Sequence, residues 1–323
     1  DRMILTVTAN PSLDRTLEIS GPLLRGEVQR SVSARAEPGG KGVNVSRVVA
    51  GSGIATVAVL PAHAGDPLLS ALDAVALPYR TIDIDGDVRN NVTVAEADGT
   101  TTKINAPGNA LGPAELNELT ALILACAADA SWIALCGSLP PGVPDDWYRT
   151  IADRLVANGC RVAIDPSGAP LGAATSGPVD LIKPNDEELA EVIGADAAEL
   201  ARAIAARDFC PVVAASRELI ARTQGSVLAT LGAAGAVLTS QTGSWLATPP
   251  PIVPRSTVGA GDASLAGYLI AESSGATEPD RLRSAVAYGA AAASLAGTQP
   301  PHPALIDTDS VAVVELSGAA PIQ

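Results

Sequence analysis

Short apolar runs alternate with longer stretches of helical periodicity along most of this chain. Met3–Thr8 and Ala55–Leu60 predict buried strands, and Pro113–Ala127 predicts a helix that is followed by a strand over Trp132–Cys136. Repeated strand–helix units of this kind imply an α/β fold, with a mostly parallel sheet and helices on both of its faces. The other elements predicted in this way are helices over Gly42–Ala50, Pro67–Ala76, Pro144–Ala157, Glu199–Arg222, Ala263–Ala271 and Pro279–Ala296, a helix from Asp186, strands over Arg161–Asp165 and Gly225–Leu231, and a closing hairpin of Ala236–Thr239 and Ser244–Ala247.

Two segments depart from this alternation and carry only short strand-like patterns. Thr16–Ile19 and Val28–Ala34 surround a polar turn, while Asn91–Glu96 and Thr100–Ile104 flank the hairpin signal Ala97–Gly99. The sequence therefore predicts one domain over residues 1–323, with a small lid sheet formed from about residues 14–36 and 88–105.

Composition and charge narrow the classes of function. Of the 323 residues, 47% are hydrophobic and 17% are charged, which is enough apolar material for a large core. The net charge of −14 disfavours binding to nucleic acid or to an anionic membrane, and no apolar run approaches the ~20 residues needed to span a bilayer. Four scattered cysteines and two histidines argue against a Cys/His metal site and suit a reducing cytoplasm.

The stretch from Thr257 to Asp262 reads Thr-Val-Gly-Ala-Gly-Asp and precedes a predicted helix. Its two glycines let the backbone turn its N–H groups towards one point, and the helix adds the positive end of its dipole. The combination predicts an anion-binding hollow. Asp262 at its rim is placed either to accept a proton beside the anion or only to cap the helix, and the local sequence leaves both readings open.

A second glycine-rich stretch, from Gly39 to Arg47, reads Gly-Gly-Lys-Gly-Val-Asn-Val-Ser-Arg and opens another predicted helix. Its glycines allow a ligand to approach the backbone closely. Lys41 is followed by Gly42 rather than by Ser or Thr, so the stretch is not a Walker A loop. A purely structural turn between strand and helix is the alternative.

Polar groups also follow the first strand and lie on the predicted lid. Asp14 stands just past the carboxyl end of that strand, where open α/β sheets bind ligands, although it also suits a turn. The dinucleotide-binding sequence G-x-G-x-x-G does not follow the strand, which counts against a dehydrogenase. Arg89, Asn91 and Lys103 fall on the lid segments, where cations suit a phosphate that is enclosed and released; a solvated strand face is the alternative.

Asn185 and Glu188 are spaced to share one face at the start of a helix. An amide oxygen and a carboxylate suit Mg²⁺, which keeps several waters and takes its remaining ligands from phosphate. The same spacing fits a capping box, with Asn185 as the cap and Glu188 as the third helical residue. The two readings are compatible.

Together these stretches resemble the ribokinase-like (PfkB) family of carbohydrate kinases. The stretches that carry the resemblance, in family order, are Gly39-Gly40-Lys41-Gly42-Val43-Asn44, the Gly-Ser-Leu-Pro-Pro-Gly turn Gly137–Gly142, Lys183-Pro184-Asn185 with Glu188, the Gly-x-x-Gly turn Gly232–Gly235, and Thr257–Asp262. The resemblance covers nearly the whole chain and implies an enzyme that uses ATP and Mg²⁺. Within the family, the GGKG-x-N form is similar to bacterial 1-phosphofructokinases and tagatose-6-phosphate kinases.

The resemblance also implies a role for each of these residues. Asp262 corresponds to the catalytic base, and the backbone of Gly259, Ala260 and Gly261 corresponds to the anion hole. The remaining implied sites are, for the sugar and its phosphate, Asp14, Gly39, Gly40, Lys41, Asn44, Arg89, Asn91, Lys103 and Ser138; for the nucleotide, Lys183, Asn185, Thr230, Gly232, Gly235, Thr257 and Val258; and for Mg²⁺, Asn185 and Glu188.

We therefore expect a cytoplasmic kinase that transfers the γ-phosphate of ATP to D-fructose 1-phosphate and gives fructose 1,6-bisphosphate. A tagatose-6-phosphate kinase or a 6-phosphofructokinase of the same family is the alternative, and a non-catalytic sugar-phosphate sensor is a distant one. A homodimer through the lid is expected, because a small two-part sheet exposes edges and an apolar face. Two positions depart from the family pattern: Val88 stands where relatives often have Thr, and residues 263–267 lack a larger residue often found early in that helix.

Overall fold

A computed structural model describes residues 3–295 and 297–316 of the chain. The strands, in chain order, are β1 (Met3–Thr8), β2 (Ser12–Glu18), β3 (Ser33–Gly39), β4 (Thr56–Pro61), β5 (Tyr79–Ile82), β6 (Arg89–Ala95), β7 (Thr101–Asn105), β8 (Ala130–Gly137), β9 (Val162–Pro166), β10 (Leu181–Ile182), β11 (Ser226–Thr230), β12 (Ala236–Thr239), β13 (Ser244–Thr248) and β14 (Ala312–Glu315). The α-helices are α1 (Lys41–Gly51), α2 (Pro67–Ala74), α3 (Pro113–Ala127), α4 (Trp147–Ala157), α5 (Ala169–Ala174), α6 (Asp186–Ile193), α7 (Ala197–Ala205), α8 (Cys210–Thr223), α9 (Ala260–Ser273) and α10 (Glu278–Ala293).

Ten of the strands form one central sheet in the order β14-β13-β12-β11-β10-β9-β8-β1-β4-β5. Every neighbouring pair from β5 to β11 is parallel, and β12, β13 and β14 then continue the sheet antiparallel. The predicted mostly parallel α/β sheet is confirmed. Because the parallel strands share one direction, the loops that leave their carboxyl ends gather at one edge of the sheet.

The remaining four strands form a separate lid sheet in the order β3-β2-β6-β7. The predicted small sheet is confirmed, including the hairpin of β6 and β7, but one of its strands lies elsewhere. A strand was predicted over Val28–Ala34, whereas β3 spans Ser33–Gly39. β3 pairs antiparallel with β2 from Ser12–Gly39 to Glu18–Ser33, so the end of β2 at Glu18 fixes the start of β3. Val28, outside the pairing, is 93% exposed.

The helical stretch predicted over Glu199–Arg222 is two helices, α7 and α8. Arg207 between them has a φ of 59°, which a continuing right-handed helix cannot contain. Asp208 Oδ1 then accepts a hydrogen bond from Cys210 N–H at 3.0 Å, and Pro211 occupies the first turn of α8. A turn conformation and a favourable start for a new helix therefore override the continuous helical periodicity.

Several other boundaries also differ from the prediction. α4 begins at Trp147 rather than at Pro144, and α10 ends at Ala293, whereas the prediction ran to Ala296, which lies outside the described residues. The last strand, β14, was not predicted, because its Ala312 and Val314 are exposed and it adds only to an edge of the sheet. Among the helices of the described part of the chain, none is long and apolar enough to cross a membrane.

Close packing of α9 against α10 explains the small residues that follow Asp262. A Cβ added at Gly289 would lie 2.3 Å from Ser264 Oγ, and one added at Gly267 would lie 2.8 Å from Ser284 O. Ser284 Oγ also donates a hydrogen bond to Gly267 O at 2.8 Å. A larger residue early in α9 has no room unless the two helices separate. The close packing of α9 against α10 therefore explains why residues 263–267 lack the larger residue of the family pattern.

Val88, the second departure, is an anchor of the lid. Its side chain is 6% exposed and belongs to a hydrophobic cluster that includes Leu60 on β4 and Leu68 and Leu72 on α2. Full burial of an aliphatic side chain contributes about 1.5–3 kcal/mol. An apolar residue at this position therefore secures the start of β6 against the body of the molecule.

Candidate active site

Polar side chains from distant parts of the chain meet at the carboxyl edge of the central sheet. Lys41 Nζ, at the start of α1, lies 2.8 Å from Asp165 Oδ1 at the end of β9. Asn44 Nδ2, one turn further along α1, donates to Asp262 Oδ2 in α9 at 2.8 Å. Asn10, after β1, donates to Ser138 Oγ, after β8, at 3.2 Å. The parallel strands thus bring together residues that are separated by up to 218 positions.

Asp262 lies inside α9 rather than at its cap. The helix begins at Ala260, three residues earlier than predicted, and its cap is Gly259 in the left-handed region with a φ of 78°. The alternative that Asp262 only caps this helix is therefore wrong. The Asp262 carboxylate, 7% exposed, instead accepts the Asn44 amide hydrogen bond.

Burial and the neighbouring Asp165 carboxylate raise the pKa of Asp262 to about 6, although Lys41, the hydrogen bond from Asn44, and Lys183 act in the opposite direction. The carboxyl group is therefore mostly ionised at neutral pH and has a greater proton affinity than an ordinary aspartate. A group with these properties is well suited to accept a proton from a reacting hydroxyl.

Asp165 is the centre of a buried charge cluster that sequence analysis missed. Its side chain is fully buried and lies 2.8 Å from Lys41 Nζ and 3.2 Å from Lys183 Nζ. Burial alone would lower the pKa of Lys41, but the carboxylates of Asp165, Glu188 and Asp262 together raise it above its usual value. Lys41 therefore stays charged. We refer to Asp165, Lys41, Lys183 and Asp262 as the buried charge cluster.

The first turn of α9 completes an anion-binding geometry beside this cluster. A Cβ at Gly261 would lie 3.3 Å from Lys183 Nζ, so the glycine leaves the ammonium group next to the backbone of the helix start. A helix N-terminus offers free N–H groups and positive potential. The arrangement can stabilise negative charge that develops on a transferred phosphoryl group. Lys183 thus lies beside Gly261, at the helix start to which the motif assigns the anion hole.

Asn185 and Glu188 form the capping box of α6. Asn185 Oδ1 accepts from Glu188 N–H at 2.7 Å, and Glu188 Oε2 accepts from Asn185 N–H at 2.9 Å. The capping reading is confirmed, and it does not exclude the metal. Glu188 Oε1 faces the cluster at 3.8 Å from Lys41 Nζ, and Asp165 Oδ2 lies 3.2 Å from Lys183 Nζ. These hard oxygen donors fit Mg²⁺ held largely through its waters.

On the other side of the site, Asp14 lies where the lid meets the sheet. Its Oδ1 accepts hydrogen bonds from Ser12 Oγ at 2.7 Å and from Asn91 Nδ2 at 3.0 Å. A Cβ at Gly39 would lie 2.3 Å from Asp14 Oδ2, so only glycine fits opposite this carboxylate. Gly40 is the N-cap of α1, which places Asp14 near the helix that carries Asn44.

Arg89 connects three segments of the chain at the base of the lid. Its guanidinium donates to Asn10 O and to Ala106 O, each at 3.0 Å, which ties the segments before β2 and after β7 to the start of β6. Burial lowers the pKa of Arg89, and Asp14 partly restores it. We call Asn10, Asp14, Val88, Arg89 and Ala106 the lid root.

The three cations predicted to bind the phosphate have different partners in the structure. Lys41 is paired with Asp165 in the buried charge cluster, whereas Arg89 belongs to the lid root. Lys103 is exposed on β7, opposite Thr93, and its strand register puts it on the same lid face as Asp14 and Asn91. The resemblance to the family placed all three among the residues for the sugar and its phosphate, but a sequence motif does not report the partner that each ammonium or guanidinium meets.

The predicted nucleotide residues lie along the next strand ends. Thr230 ends β11 and bridges to Asn185, so it is adjacent to the capping box. Gly232 begins a single 3₁₀ turn and Gly235 ends it with a φ of 101°. Thr257 and Val258 are in the loop that enters α9, where Ala260 N–H donates to Thr257 O at 3.4 Å.

Comparison with known proteins agrees with this geometry. Residues 8–305 match the model of the pfkB family carbohydrate kinases. The chain is 35% identical over 304 residues to a 1-phosphofructokinase of Rhodobacter capsulatus, covering 93% of each chain. It is 31% identical over 301 residues to the ATP-dependent 6-phosphofructokinase isozyme 2 of Escherichia coli K12, covering 92% of this chain and 94% of the other.

A crystal structure of phosphofructokinase-2 from Escherichia coli in complex with substrates and products has the same fold, with a TM-score of 0.83 and 28% identity over 95% of this chain and 97% of that one. The family that the sequence motifs indicated is confirmed, and a dehydrogenase is excluded. The chain belongs to the pfkB family of carbohydrate kinases.

Proposed function

We propose that this chain is a 1-phosphofructokinase, which transfers the γ-phosphoryl group of ATP to D-fructose 1-phosphate and gives fructose 1,6-bisphosphate. The observation that carries the proposal is the buried Asp262 carboxylate, which is held by Asn44 at 2.8 Å in the first turn of α9. A base and an anion-binding helix start share one turn of chain. The relatives named 1-phosphofructokinase support the choice of acceptor.

In this proposal Asp262 takes the proton of the sugar hydroxyl as the hydroxyl oxygen attacks the γ-phosphorus. The N–H groups at the start of α9 and the Lys183 ammonium stabilise the charge on the transferred group. Asn44 orients the Asp262 carboxylate through its Nδ2. The Oδ1 of Asn44 lacks a hydrogen-bond partner within the described residues and is available to a sugar hydroxyl. Positioning and electrostatics therefore account for the catalysis.

We further propose that Asn185, Glu188 and Asp165 hold Mg²⁺ through its water shell. When bound, the ion would neutralise charge on the nucleotide phosphates. The support comes from the donor set: Glu188 Oε1 and the Asp165 carboxylate, both hard oxygen donors, lie around Lys41. Thr230, Gly232 and Gly235 are proposed to face the nucleotide on the same side.

The sugar is proposed to bind between α1 and the lid root. Asp14, Gly39, Gly40, Asn44 and Asn91 would contact its hydroxyls, and Arg89, Ser138, Lys103 and Lys41 are the candidates for its existing phosphate. Arg89 is the best placed of these, because the guanidinium has five donors and uses two on backbone carbonyls.

Comparison of acceptors tests this proposal. We expect kcat/KM with MgATP to be highest for fructose 1-phosphate among fructose 1-phosphate, fructose 6-phosphate, tagatose 6-phosphate and free fructose. A lead of tenfold or more for a 6-phosphate, about 1.4 kcal/mol, would overturn the choice of acceptor and leave the kinase. Sugar-phosphate binding without release of ADP from any of the four would instead indicate a sensor.

One alternative has specific support. Relatives from two species, Mycobacterium tuberculosis and Escherichia coli, carry the name ATP-dependent 6-phosphofructokinase isozyme 2, at 31–32% identity over more than nine-tenths of this chain. These values differ little from the 34–35% found for the 1-phosphofructokinases. The acceptor comparison separates the two activities.

A homodimer through the lid is also proposed. The lid face opposite Asp14 carries Leu17, Val92, Val94 and Ile104, and Ile104 is 63% exposed. Pairing of two such faces would bury them. We expect light scattering to give a dimer for the wild type, a monomer for Ile104→Glu, and a dimer for Lys103→Glu on the opposite face. A monomeric wild type would refute the pairing.

A cytoplasmic location remains a prediction from the four free cysteines.

A further inference from the structure

Asp66 holds the base of the lid from beneath. Its side chain is fully buried. Oδ1 accepts a hydrogen bond from Leu68 N–H at 2.8 Å, which caps α2, and Oδ2 accepts one from Val88 N–H at 2.7 Å. The first bond is local, whereas the second spans 22 residues and reaches the residue immediately before β6. One carboxylate therefore links α2, a helix of the body, to Val88 of the lid root.

This link continues directly to the guanidinium of Arg89. The Val88 side chain is buried against Leu68 and Leu72 of α2, so both its backbone N–H and its side chain are fixed by the same helix. Arg89 is the next residue, and it donates to Asn10 O and Ala106 O. A shift of the Val88 peptide would therefore move the Arg89 backbone relative to the two carbonyls that orient its side chain.

The surface above Asp66 is also held in place, and the contact there is a hydrogen bond between His63 and Asp87 rather than a metal site. His63, Asp66 and Asp87 offer ligand atoms that lie within 4.8 Å of one another. However, Gly65 N–H donates to His63 Nδ1 at 3.1 Å, so the ring hydrogen belongs on Nε2, which lies 2.7 Å from Asp87 Oδ1. An Nε2 that carries hydrogen has no lone pair for a metal ion.

A further residue restrains the same turn from the other side. Asn109 Nδ2 lies 2.6 Å from Asp87 O and 3.3 Å from Asp85 O. The turn before β6 is thus fixed by Asp66 from within and by Asn109 from the segment that follows β7.

We infer that Asp66 is a positioning residue for the phosphate-binding end of the sugar site, acting through the Val88 N–H to set the position of Arg89. The inference rests on the proposed function, in which Arg89 contacts the phosphate of the sugar. Asp66 has no part in the transfer itself, since the chemistry is assigned to the buried charge cluster. Its loss should therefore weaken the binding of the sugar phosphate and leave turnover and ATP binding in place.

Asp66→Asn tests this role. Asn caps helices as well as Asp does, so α2 keeps its cap while an amide NH₂ replaces the oxygen that faces Val88 N–H. We expect the KM for fructose 1-phosphate to rise about tenfold, the effect of one charge-assisted contact, with kcat and the KM for ATP within about twofold. Hydrogen exchange of the peptide that contains Val88 should become faster.

Asp196→Asn is the matched control, because Asp196 caps α7 through Ala198 N–H and Glu199 N–H and, among the described residues, its side chain makes only these local hydrogen bonds. It should change neither KM nor exchange at Val88. An unchanged KM for fructose 1-phosphate in Asp66→Asn, or an equal rise in the KM for ATP, would overturn the inference. A wild-type enzyme that phosphorylates none of the four acceptors would instead overturn the proposed function.

Asn109→Ala provides a second route if Asp66→Asn does not fold. Asn109 is only half-buried, and its loss releases the same turn from its outer side. We expect a smaller rise in the KM for fructose 1-phosphate, about threefold, in line with the loss of one neutral hydrogen bond. In that case an unchanged KM for Asn109→Ala would overturn the inference.

Discussion

The buried charge cluster lies at the carboxyl ends of the central strands and the lid root lies where the lid joins the body, and the two are built differently. Asp165, Lys183 and Asp262 are each less than 10% exposed and bond mainly to other charged or amide side chains. Arg89 and Asp14 are half-buried, and Arg89 bonds to backbone carbonyls of the lid segments. The cluster is therefore fixed by the central sheet, whereas the geometry of the lid root depends on how the lid is attached.

The difference indicates a division of work. Charges in a dry, rigid setting interact strongly and need little reorganisation during reaction, which suits the phosphoryl transfer. A partly exposed group on a separate sheet can admit and release a substrate, which suits selection of the sugar phosphate. We therefore expect substitutions in the cluster to lower kcat and substitutions at the lid root to raise KM.

The largest effect should come from Asp262→Asn, which removes the base at nearly constant volume. Loss of a general base typically lowers the rate about 10²–10⁴-fold, and the remaining contacts of the sugar stay in place. Steady-state kinetics should show this loss in kcat, with the Kd of fructose 1-phosphate by calorimetry within about threefold of wild type. A kcat near that of wild type would remove Asp262 from the mechanism.

At the lid root, Arg89→Lys should act on binding instead. The substitution keeps the positive charge but loses the planar group that spans two carbonyls and a phosphate. We expect the KM for fructose 1-phosphate to rise about tenfold and kcat to change little. Lys103→Ala, on the exposed part of the lid, should have a smaller effect on KM. A fall in kcat at unchanged KM for Arg89→Lys would contradict the assignment of substrate binding to the lid root and of catalysis to the buried charge cluster.

A smaller and more selective effect is expected of Glu188→Gln. Glutamine also serves at the third position of a capping box, so α6 keeps its N-terminal cap. The substitution removes the Glu188 carboxylate that lies beside the buried charge cluster. The Mg²⁺ concentration for half-maximal rate should rise about tenfold, as is typical when a group around a metal site is lost, while kcat at saturating Mg²⁺ recovers.

Glu115→Gln is the control for this change, because Glu115 at the third position of α3 accepts the backbone N–H of the N-cap residue Gly112, as Glu188 does for Asn185 in α6. It should leave the Mg²⁺ dependence as it is. If both variants change only thermal stability, Glu188 has a structural role alone.

The residues in and around the buried charge cluster differ in how well the sequence predicted them. Asp262, Asn44 and Glu188 lie within short motifs that combine glycine turns and helix starts, so local physics is enough to find them. Asp165 ends an ordinary apolar strand, and its importance arises from Lys41, which is 124 residues away. No local pattern reports such a contact.

The lid shows the same limit. The presence of a small sheet followed from alternation in the sequence, but the position of β3 is set by its pairing with β2, which is a tertiary property. The phosphate-binding set that the resemblance implied, with Lys41, Arg89 and Lys103 among its members, likewise carried no information on tertiary contacts. The fold resolves it into a lysine of the buried charge cluster, an arginine of the lid root and an exposed lysine on β7.

The most direct test of the account is the pH dependence of kcat/KM for fructose 1-phosphate in three forms of the enzyme. This quantity reports ionisations of the free enzyme and the free substrate. In wild type it should fall as the pH drops through about 6, because protonation of Asp262, whose pKa is raised to about 6, removes the base. The second ionisation of a phosphate also lies near pH 6, so the wild-type profile alone does not identify the group.

Two substitutions separate these origins, because neither can alter the pKa of the free substrate. Lys41 lowers the pKa of Asp262 and Asp165 raises it. The acidic limb should therefore move to higher pH in Lys41→Met and to lower pH in Asp165→Asn. Limbs that coincide in all three forms would contradict the assignment of Asp262 as the base that the buried charge cluster controls.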